Sequence, residues 1–123
     1  MNEGKTILIA EDHNVTRRNV GFVLRNEGYN VVLAQDGEEA LTQALKKLPE
    51  LVLTNLHMPR LNGLDVAARM QQVAPEIPLF LMTGMLTPQI LRRSQHVGVR
   101  EVIMKPFDLE DVLKRIALAL RTL

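Results

Sequence analysis

Several polar side chains stand where hydrophobic runs of this sequence end. The acids Glu11 and Asp12 follow ILIA, Asn55 closes LVLTN, Thr83 closes LFLMT, and Lys105 follows EVIM. Two adjacent carboxylates repel each other and favour a hard cation that takes oxygen ligands, of which Mg²⁺ is the usual example. A lysine and a threonine opposite them can hold the oxygens of a phosphoryl group. The set therefore suits a divalent cation and an oxyanion together.

These residues share a site only if the runs before them are parallel strands of one sheet. Apolar stretches, which predict strands, alternate strictly with amphipathic stretches, which predict helices. The predicted strands are residues 5–10, 30–34, 50–55, 77–84 and 100–104, and the predicted helices are 14–27, one opened by Asp36, 64–73, one begun by Thr87-Pro88, and one capped by Asp108. This order predicts an α/β fold with a five-stranded parallel sheet and five helices on both faces. Ligands bind at the carboxyl edge of such a sheet.

Helical spacing also predicts which apolar side chains are buried. The expected core positions are Val20, Val23 and Leu24 in the first helix, Leu41, Ala44, Leu45 and Leu48 in the second, Val66, Ala67, Met70 and Val73 in the third, Leu109, Val112, Leu113, Ile116, Ala117 and Leu120 in the last, and the strand residues Met82 and Met104.

The Lys105-Pro106 peptide bond is predicted to be cis. The loop must turn Lys105 back toward the acidic pair, and only an X–Pro bond makes cis accessible, at about 0.5–1 kcal/mol above trans.

Length and composition limit the class of protein. The 123 residues suit one domain, and 46% hydrophobic with 24% charged residues is the balance of a globular protein. A net charge of +1 offers no electrostatic case for nucleic-acid binding. The chain contains no cysteine, and its opening run MNEGKTILIA is too short for a signal peptide or a membrane span. We expect a cytoplasmic protein that contacts neither membrane nor nucleic acid.

Taken together, these motifs identify a resemblance that covers the whole chain. The acidic pair, the NLHMPRLNG loop with Met58-Pro59 and Gly63, Thr83-Gly84 and Lys105-Pro106-Phe107 resemble the receiver domain of two-component response regulators. The resemblance implies a flavodoxin-like sheet with strand order 2-1-3-4-5. It also implies one receiver domain over residues 1–123, and whether an output domain follows Leu123 stays open.

The resemblance also implies roles for the residues at the sheet edge. In that family an aspartate at the end of strand three accepts a phosphoryl group from a kinase histidine, and Asn55 occupies this phosphoacceptor position. Asp12 would be the direct Mg²⁺ ligand and Glu11 the outer one, assisted by position 55 and by the backbone carbonyl of His57. Thr83 and Lys105 would bind the phosphoryl group.

The family resemblance implies partners as well. They are a sensor histidine kinase or phosphotransfer protein, and a downstream effector or output domain that binds through the face formed by helix 4, strand 5 and helix 5. A homodimer through the last helices is a further option.

The sequence departs from the family at two positions. An amide at position 55 cannot form the acyl phosphate, because its nitrogen lone pair is delocalised and its oxygen carries no full charge. It should also weaken Mg²⁺ binding by withdrawing a charge from the ligand set. At Val102 the family often has an aromatic switch residue, so a rotating aromatic gate is not expected here.

The leading hypothesis is therefore a phosphorelay receiver that cannot be phosphorylated at its usual site. Whether Asn55 was introduced into a working receiver or is natural stays open, and a phosphate-independent interaction module of the same fold is the alternative. We expect no enzyme. A phosphatase of the haloacid-dehalogenase kind needs a second Asp two residues after Asp12, where Asn14 stands, and AEDHN lacks the glycines of a dinucleotide-binding turn. The side chains of His13, His57, His96, Arg17 and Arg18 are expected to have no functional role.

Overall fold

The computed structural model describes residues 4–121, in which strands and helices alternate from end to end. Residues 1–3 of the opening run, and the chain end at Leu123, lie outside the described part. The elements are β1 (Thr6–Ala10), α1 (Asn14–Asn26), β2 (Asn30–Ala34), α2 (Gly37–Lys46), β3 (Leu51–Asn55), α3 (Gly63–Val73), β4 (Leu79–Thr83), α4 (Pro88–His96), β5 (Glu101–Met104) and α5 (Leu109–Leu120).

All strand pairings are parallel, and the five strands lie in the order β2-β1-β3-β4-β5. The predicted fold class and strand order are both confirmed. At the carboxyl edge Ala10 lies opposite Thr54, Asn55 opposite Met82, and Thr83 opposite Met104. The loops after β1, β3, β4 and β5 therefore leave the sheet side by side.

The sheet is buried on both faces, which explains why its strands lack polar alternation. On one face Ile7 and Ile9 of β1 pack with residues of α1 and α5, among them Leu24 and Ile116. On the other face Leu8 and Ala10 of β1 pack against α2 and α3. The helix residues in this cluster include Ala40, Ala44, Val66, Ala67 and Met70.

The helices begin at local capping signals. Asp36 accepts a hydrogen bond from the Glu39 backbone N–H at 2.7 Å, and Asp108 and Thr87 cap α5 and α4 in the same manner, with Pro88 at the first helical position. Asn62 and Asp65 form a reciprocal capping box that opens α3. None of the helices within residues 4–121 combines the length and the apolarity needed to cross a bilayer.

Five predictions of buried side chains are wrong. Leu45 and Leu48 are 48% and 47% exposed, and Val73, Met104 and Ala117 are also exposed. Helix α2 ends at Lys46, so Leu48 lies beyond it, and its contact with the sheet is made by the small residues Ala40 and Ala44. Helix α3 ends at Val73, and Ala74 enters the core instead. Met104 ends the edge strand β5, which has a neighbour on one side only.

The start of α2 lies against the connection between β3 and α3. A Cβ atom on Gly37 would lie 2.0 Å from the Leu61 carbonyl oxygen, far inside contact distance. The neighbouring Asp36 forms an ion pair with Arg60 at 3.4 Å. The connection that follows β3 is therefore held from the side by α2.

Gly37→Ala should lower the free energy of unfolding by about 1–3 kcal/mol, because the added methyl group overlaps backbone of the neighbouring loop. In a helix, alanine normally stabilises the fold by about 0.5–1 kcal/mol relative to glycine, so a destabilising Gly37→Ala change would be the opposite of the usual effect. Urea denaturation measures the free energy of unfolding of both proteins. Gly84→Ala is the control, since its Cβ would meet no atom within 4 Å. A Gly37→Ala chain as stable as its parent would contradict the tight contact.

Candidate functional site

Glu11 is the buried acid of the site. It follows β1 directly and is 1% exposed. Its Oε1 accepts a hydrogen bond from Lys105 Nζ at 3.1 Å, and its Oε2 accepts one from the His13 backbone N–H at 3.0 Å. Its backbone carbonyl accepts from the Arg17 guanidinium at 2.8 Å. A carboxylate removed from water requires such partners, and here each of its oxygens has one.

Asn55 lies at the centre of the site. It ends β3, and only 8% of its surface is exposed. Its Nδ2 donates toward three oxygens: the His57 backbone carbonyl at 2.9 Å, Asp12 Oδ1 at 3.2 Å and Glu11 Oε2 at 3.3 Å. Two amide hydrogens are thus shared among three acceptors. The structure brings Glu11, Asp12, His57 and Asn55 together as predicted, with Asp12 on the solvent side.

The loop between β3 and α3 holds the His57 carbonyl over Asn55. The Gly63 N–H donates to the Leu56 carbonyl at 2.8 Å, and a Cβ on Gly63 would lie 2.3 Å from the Asn55 carbonyl oxygen. Arg60 has φ 73°, a left-handed conformation that costs a side-chain-bearing residue about 1–2 kcal/mol. The ion pair of Arg60 with Asp36 is a favourable contact of about 0–1 kcal/mol that offsets part of this conformational cost.

Thr83 ends β4 and Lys105 follows β5, and both strands lie on the other side of β3 from β1. The Thr83 hydroxyl donates to the Met85 carbonyl at 2.9 Å and accepts from the Met85 N–H at 3.1 Å, so it is engaged within its own loop. The Lys105 backbone N–H donates to the Thr83 carbonyl at 2.8 Å. The Lys105-Pro106 bond is cis, as predicted. Val102 is half-buried on β5, opposite Leu81.

Two residues at the start of the first helix, the N-cap His13 and Arg17, make contacts that the sequence analysis did not predict. His13 caps α1, since its ring nitrogen accepts from the Thr16 N–H at 3.4 Å. Arg17, interpreted as a solvated charge, holds the Glu11 carbonyl and also donates to Asn14 at 2.6 Å. Their place in the first turn after the acidic pair is the signal that could have identified them.

Residues 7–117 match the family model of the response regulator receiver domain. The chain belongs to this family. Transcriptional regulatory protein PdtaR of Mycobacterium tuberculosis is 33% identical to this receiver domain over 118 residues, covering 94% of this chain and 56% of that protein. Probable transcriptional regulatory protein TcrX of the same species is 30% identical over 116 residues, covering 94% and 50%. The chain spans about half the length of these curated relatives.

Solved structures agree with this family. A CheY-like receiver domain protein from Methanospirillum hungatei superimposes with a TM-score of 0.91 at 26% identity, covering 94% of this chain and 93% of the other. Chemotaxis protein CheY4 of Vibrio cholerae superimposes with a TM-score of 0.87 at 29% identity, covering 94% and 98%. The receiver fold is therefore shown by sequence and by architecture.

Receiver domains bind Mg²⁺ at the acidic pocket. In this chain the residues that would hold the ion are Asp12, Glu11, the His57 carbonyl and, through its amide oxygen, Asn55. The oxygens of the first three face the NH₂ group of Asn55, which is a donor and cannot ligate a cation. Within residues 4–121, no three His, Asp or Glu side chains lie at metal-binding spacing. The donor set is thus smaller by one carboxylate than a site with aspartate at position 55.

Lys105→Met should lower the free energy of unfolding by about 1–3 kcal/mol, because it leaves the Glu11 carboxylate buried without its ion partner. Urea denaturation at neutral pH measures the loss. Adding Glu11→Gln should restore part of it, since the remaining group is then uncharged.

The matched control is Arg115→Met. Arg115 forms ion pairs with Asp111 and Glu101 at 2.9 and 2.8 Å but is 41% exposed, so its removal should cost about 0–1 kcal/mol. Equal losses in the two variants would mean that the burial of Glu11 adds nothing to the Lys105 pair.

Proposed function

We propose that this receiver domain works as a signalling module that takes up no phosphoryl group at its usual acceptor position. The observation that carries the proposal is the amide at the end of β3, whose nitrogen donates to Glu11, Asp12 and the His57 carbonyl. A phosphoacceptor must instead present a charged oxygen nucleophile at this point.

The remainder of the pocket supports a receiver that is complete apart from its nucleophile. Glu11 and Asp12 stand beside position 55, and Lys105 donates to Glu11. With an aspartate at position 55, bound Mg²⁺ would offset the charge that builds on the phosphoryl oxygens. With Asn55 we propose that Mg²⁺ binds weakly, because one anionic ligand is lost.

A phosphate-independent interaction module is the second candidate. The pocket's polar groups already bond to one another: Lys105 to Glu11, Thr83 to Met85, and Asn55 to three oxygens. A receiver in this arrangement requires no phosphate to satisfy its buried groups. Partner binding that is the same with Asn or Asp at position 55 would favour this candidate over a blocked switch.

The proposed partner surface is the face of α4, β5 and α5. It exposes apolar side chains on each element, namely Leu91, Met104 and Leu118. Exposed apolar side chains on neighbouring elements are a feature of many protein–protein contact surfaces. We propose an effector or output domain there, a sensor kinase or phosphotransfer protein as the upstream partner, and no enzymatic activity of the domain itself. Because Val102 is aliphatic, this position offers no rotating aromatic side chain to couple the pocket to this face.

The chain should take no phosphate from acetyl phosphate in the presence of Mg²⁺, whereas Asn55→Asp should form an acid-stable, base-labile acyl phosphate. Intact-mass spectrometry of both proteins measures the adduct. The reason is that the substitution adds the missing anionic oxygen beside Glu11, Asp12 and Lys105.

Asn62→Asp is the control for this experiment. Asn62 caps α3 at the end of the same loop, so the variant adds a carboxylate nearby without adding one to the pocket. It should remain unlabelled. An adduct on the parent chain, or none on Asn55→Asp, would contradict the proposed function.

Without metal, the parent chain should be more stable than Asn55→Asp by about 1 kcal/mol or more, since a third carboxylate would repel Glu11 and Asp12. Millimolar Mg²⁺ should reverse or remove this difference, because the variant binds the ion more tightly. Thermal melts of both proteins with Mg²⁺ and with chelator provide the measurement. Greater stability of Asn55→Asp in chelator would refute the repulsion argument.

A further inference from the structure

We propose that the Asn55 amide replaces the cation in this pocket, so that the acidic loops are assembled without metal. The inference rests on the proposed function, because it explains how the site is held when neither Mg²⁺ nor phosphate is needed. In this inference Asn55 does more than leave the site without a nucleophile. The partially positive hydrogens of its NH₂ group take the place of a cation between the acidic loops.

Three oxygens converge on the nitrogen of the Asn55 amide. Glu11 Oε2, Asp12 Oδ1 and the His57 carbonyl oxygen come from two different loops and all lie 2.9–3.3 Å from Asn55 Nδ2. Oxygens that carry full or partial negative charge repel one another, and a positive partner placed between them offsets that repulsion. A metal ion is one such partner, and the NH₂ group, with two partially positive hydrogens, is another.

The Glu11 carboxylate has further hydrogen-bond partners within the chain besides Asn55. The other oxygen of Glu11 is bonded to Lys105 Nζ, and the His13 N–H donates to the same oxygen that faces Asn55. Lys105 supplies one full positive charge against two carboxylates, and the amide dipole faces both acids. Asp12 lies on the exposed side, where water screens its remaining charge. The buried acid Glu11 is therefore compensated by groups of this chain, and Asp12 is held by the amide and by solvent.

The position of the Asn55 amide determines how its truncation should change the affinity of the pocket for Mg²⁺. If Asn55 acted on a cation only as a weak oxygen ligand, its truncation would remove a ligand and lower the affinity for Mg²⁺. If its NH₂ group fills the cation's position, truncation vacates that position while Glu11, Asp12 and His57 remain. Asn55→Ala should then bind Mg²⁺ more tightly than the parent chain does, although it has one polar group fewer.

The experiment compares the parent chain, Asn55→Ala and Asn55→Ser in thermal melts at constant ionic strength, with chelator and with millimolar Mg²⁺. Serine is too short to reach all three oxygens and serves if the alanine variant does not fold. Both variants should melt below the parent in chelator, and Mg²⁺ should raise their Tm by about 3 °C or more. The parent Tm should stay unchanged. Binding of Mn²⁺, followed by electron paramagnetic resonance of the unbound ion, provides a direct affinity for each protein.

Asn62→Ala is the matched control. It removes the α3 cap and should lower the Tm through a different contact, without any response to Mg²⁺. A response of this variant equal to that of Asn55→Ala would overturn the inference, because the metal would then act on the fold in general. Mn²⁺ affinity of Asn55→Ala and Asn55→Ser that is equal to or below that of the parent would overturn it as well.

The outcome is separable from the proposed function. The Ala and Ser variants carry no carboxylate at position 55, so their metal response does not depend on phosphorylation chemistry. Absence of a Mg²⁺ response would overturn the counter-charge role and leave the blocked acceptor intact. A phosphoryl adduct on the parent would overturn the proposed function even if the metal response were as expected.

Discussion

The central position of β3 is the constraint on which the site depends. This strand pairs with β1 on one side and β4 on the other, and all five of its residues are buried. Asn55 must therefore satisfy its amide before the chain reaches solvent, because a buried polar group without a partner costs about 1–3 kcal/mol. Its neighbours are fixed by the same geometry, since parallel pairing brings the acidic pair after β1 to the end of β3. The loop after β3 returns the His57 carbonyl to the same point.

Much of this arrangement can be predicted from the sequence because the signals are local. Capping residues such as Asp36, Thr87 and Asp108 mark helix starts, and strict alternation of strands and helices predicts a parallel sheet with one functional edge. Burial at the ends of helices is less predictable, because it depends on which neighbour is large enough to cover a position. Leu45 is exposed since Ala40 and Ala44 make the contact with the sheet, and Met104 is exposed since β5 is an edge strand.

The hydrogen-bond directions of the site lie beyond sequence reasoning for a different reason. Asn and Asp have nearly the same shape, but a carboxylate only accepts hydrogen bonds whereas an amide also donates. The sequence therefore predicts that position 55 lies among oxygens, and only the structure identifies which of its atoms faces them. With a carboxylate there, three anionic groups would meet within a few ångströms, at about 1–4 kcal/mol for each pair at 4 Å. With the amide, the same oxygens become acceptors for one donor.

Hydrogen bonds of Thr83 and Lys105 fix the loops on the side of the site nearest the proposed partner surface. The Thr83 hydroxyl bonds to both the N–H and the carbonyl of Met85, which closes a tight turn at the start of the loop after β4. Met85 and Leu86 are exposed at this turn. Lys105 is joined to Thr83 through its backbone and to Glu11 through its ammonium, so it connects β5 to the acidic pair across the sheet edge. These contacts involve groups of the chain alone, so none of them depends on a bound ligand. They are the contacts through which the proposed phosphate-independent module would keep one loop surface for its partner.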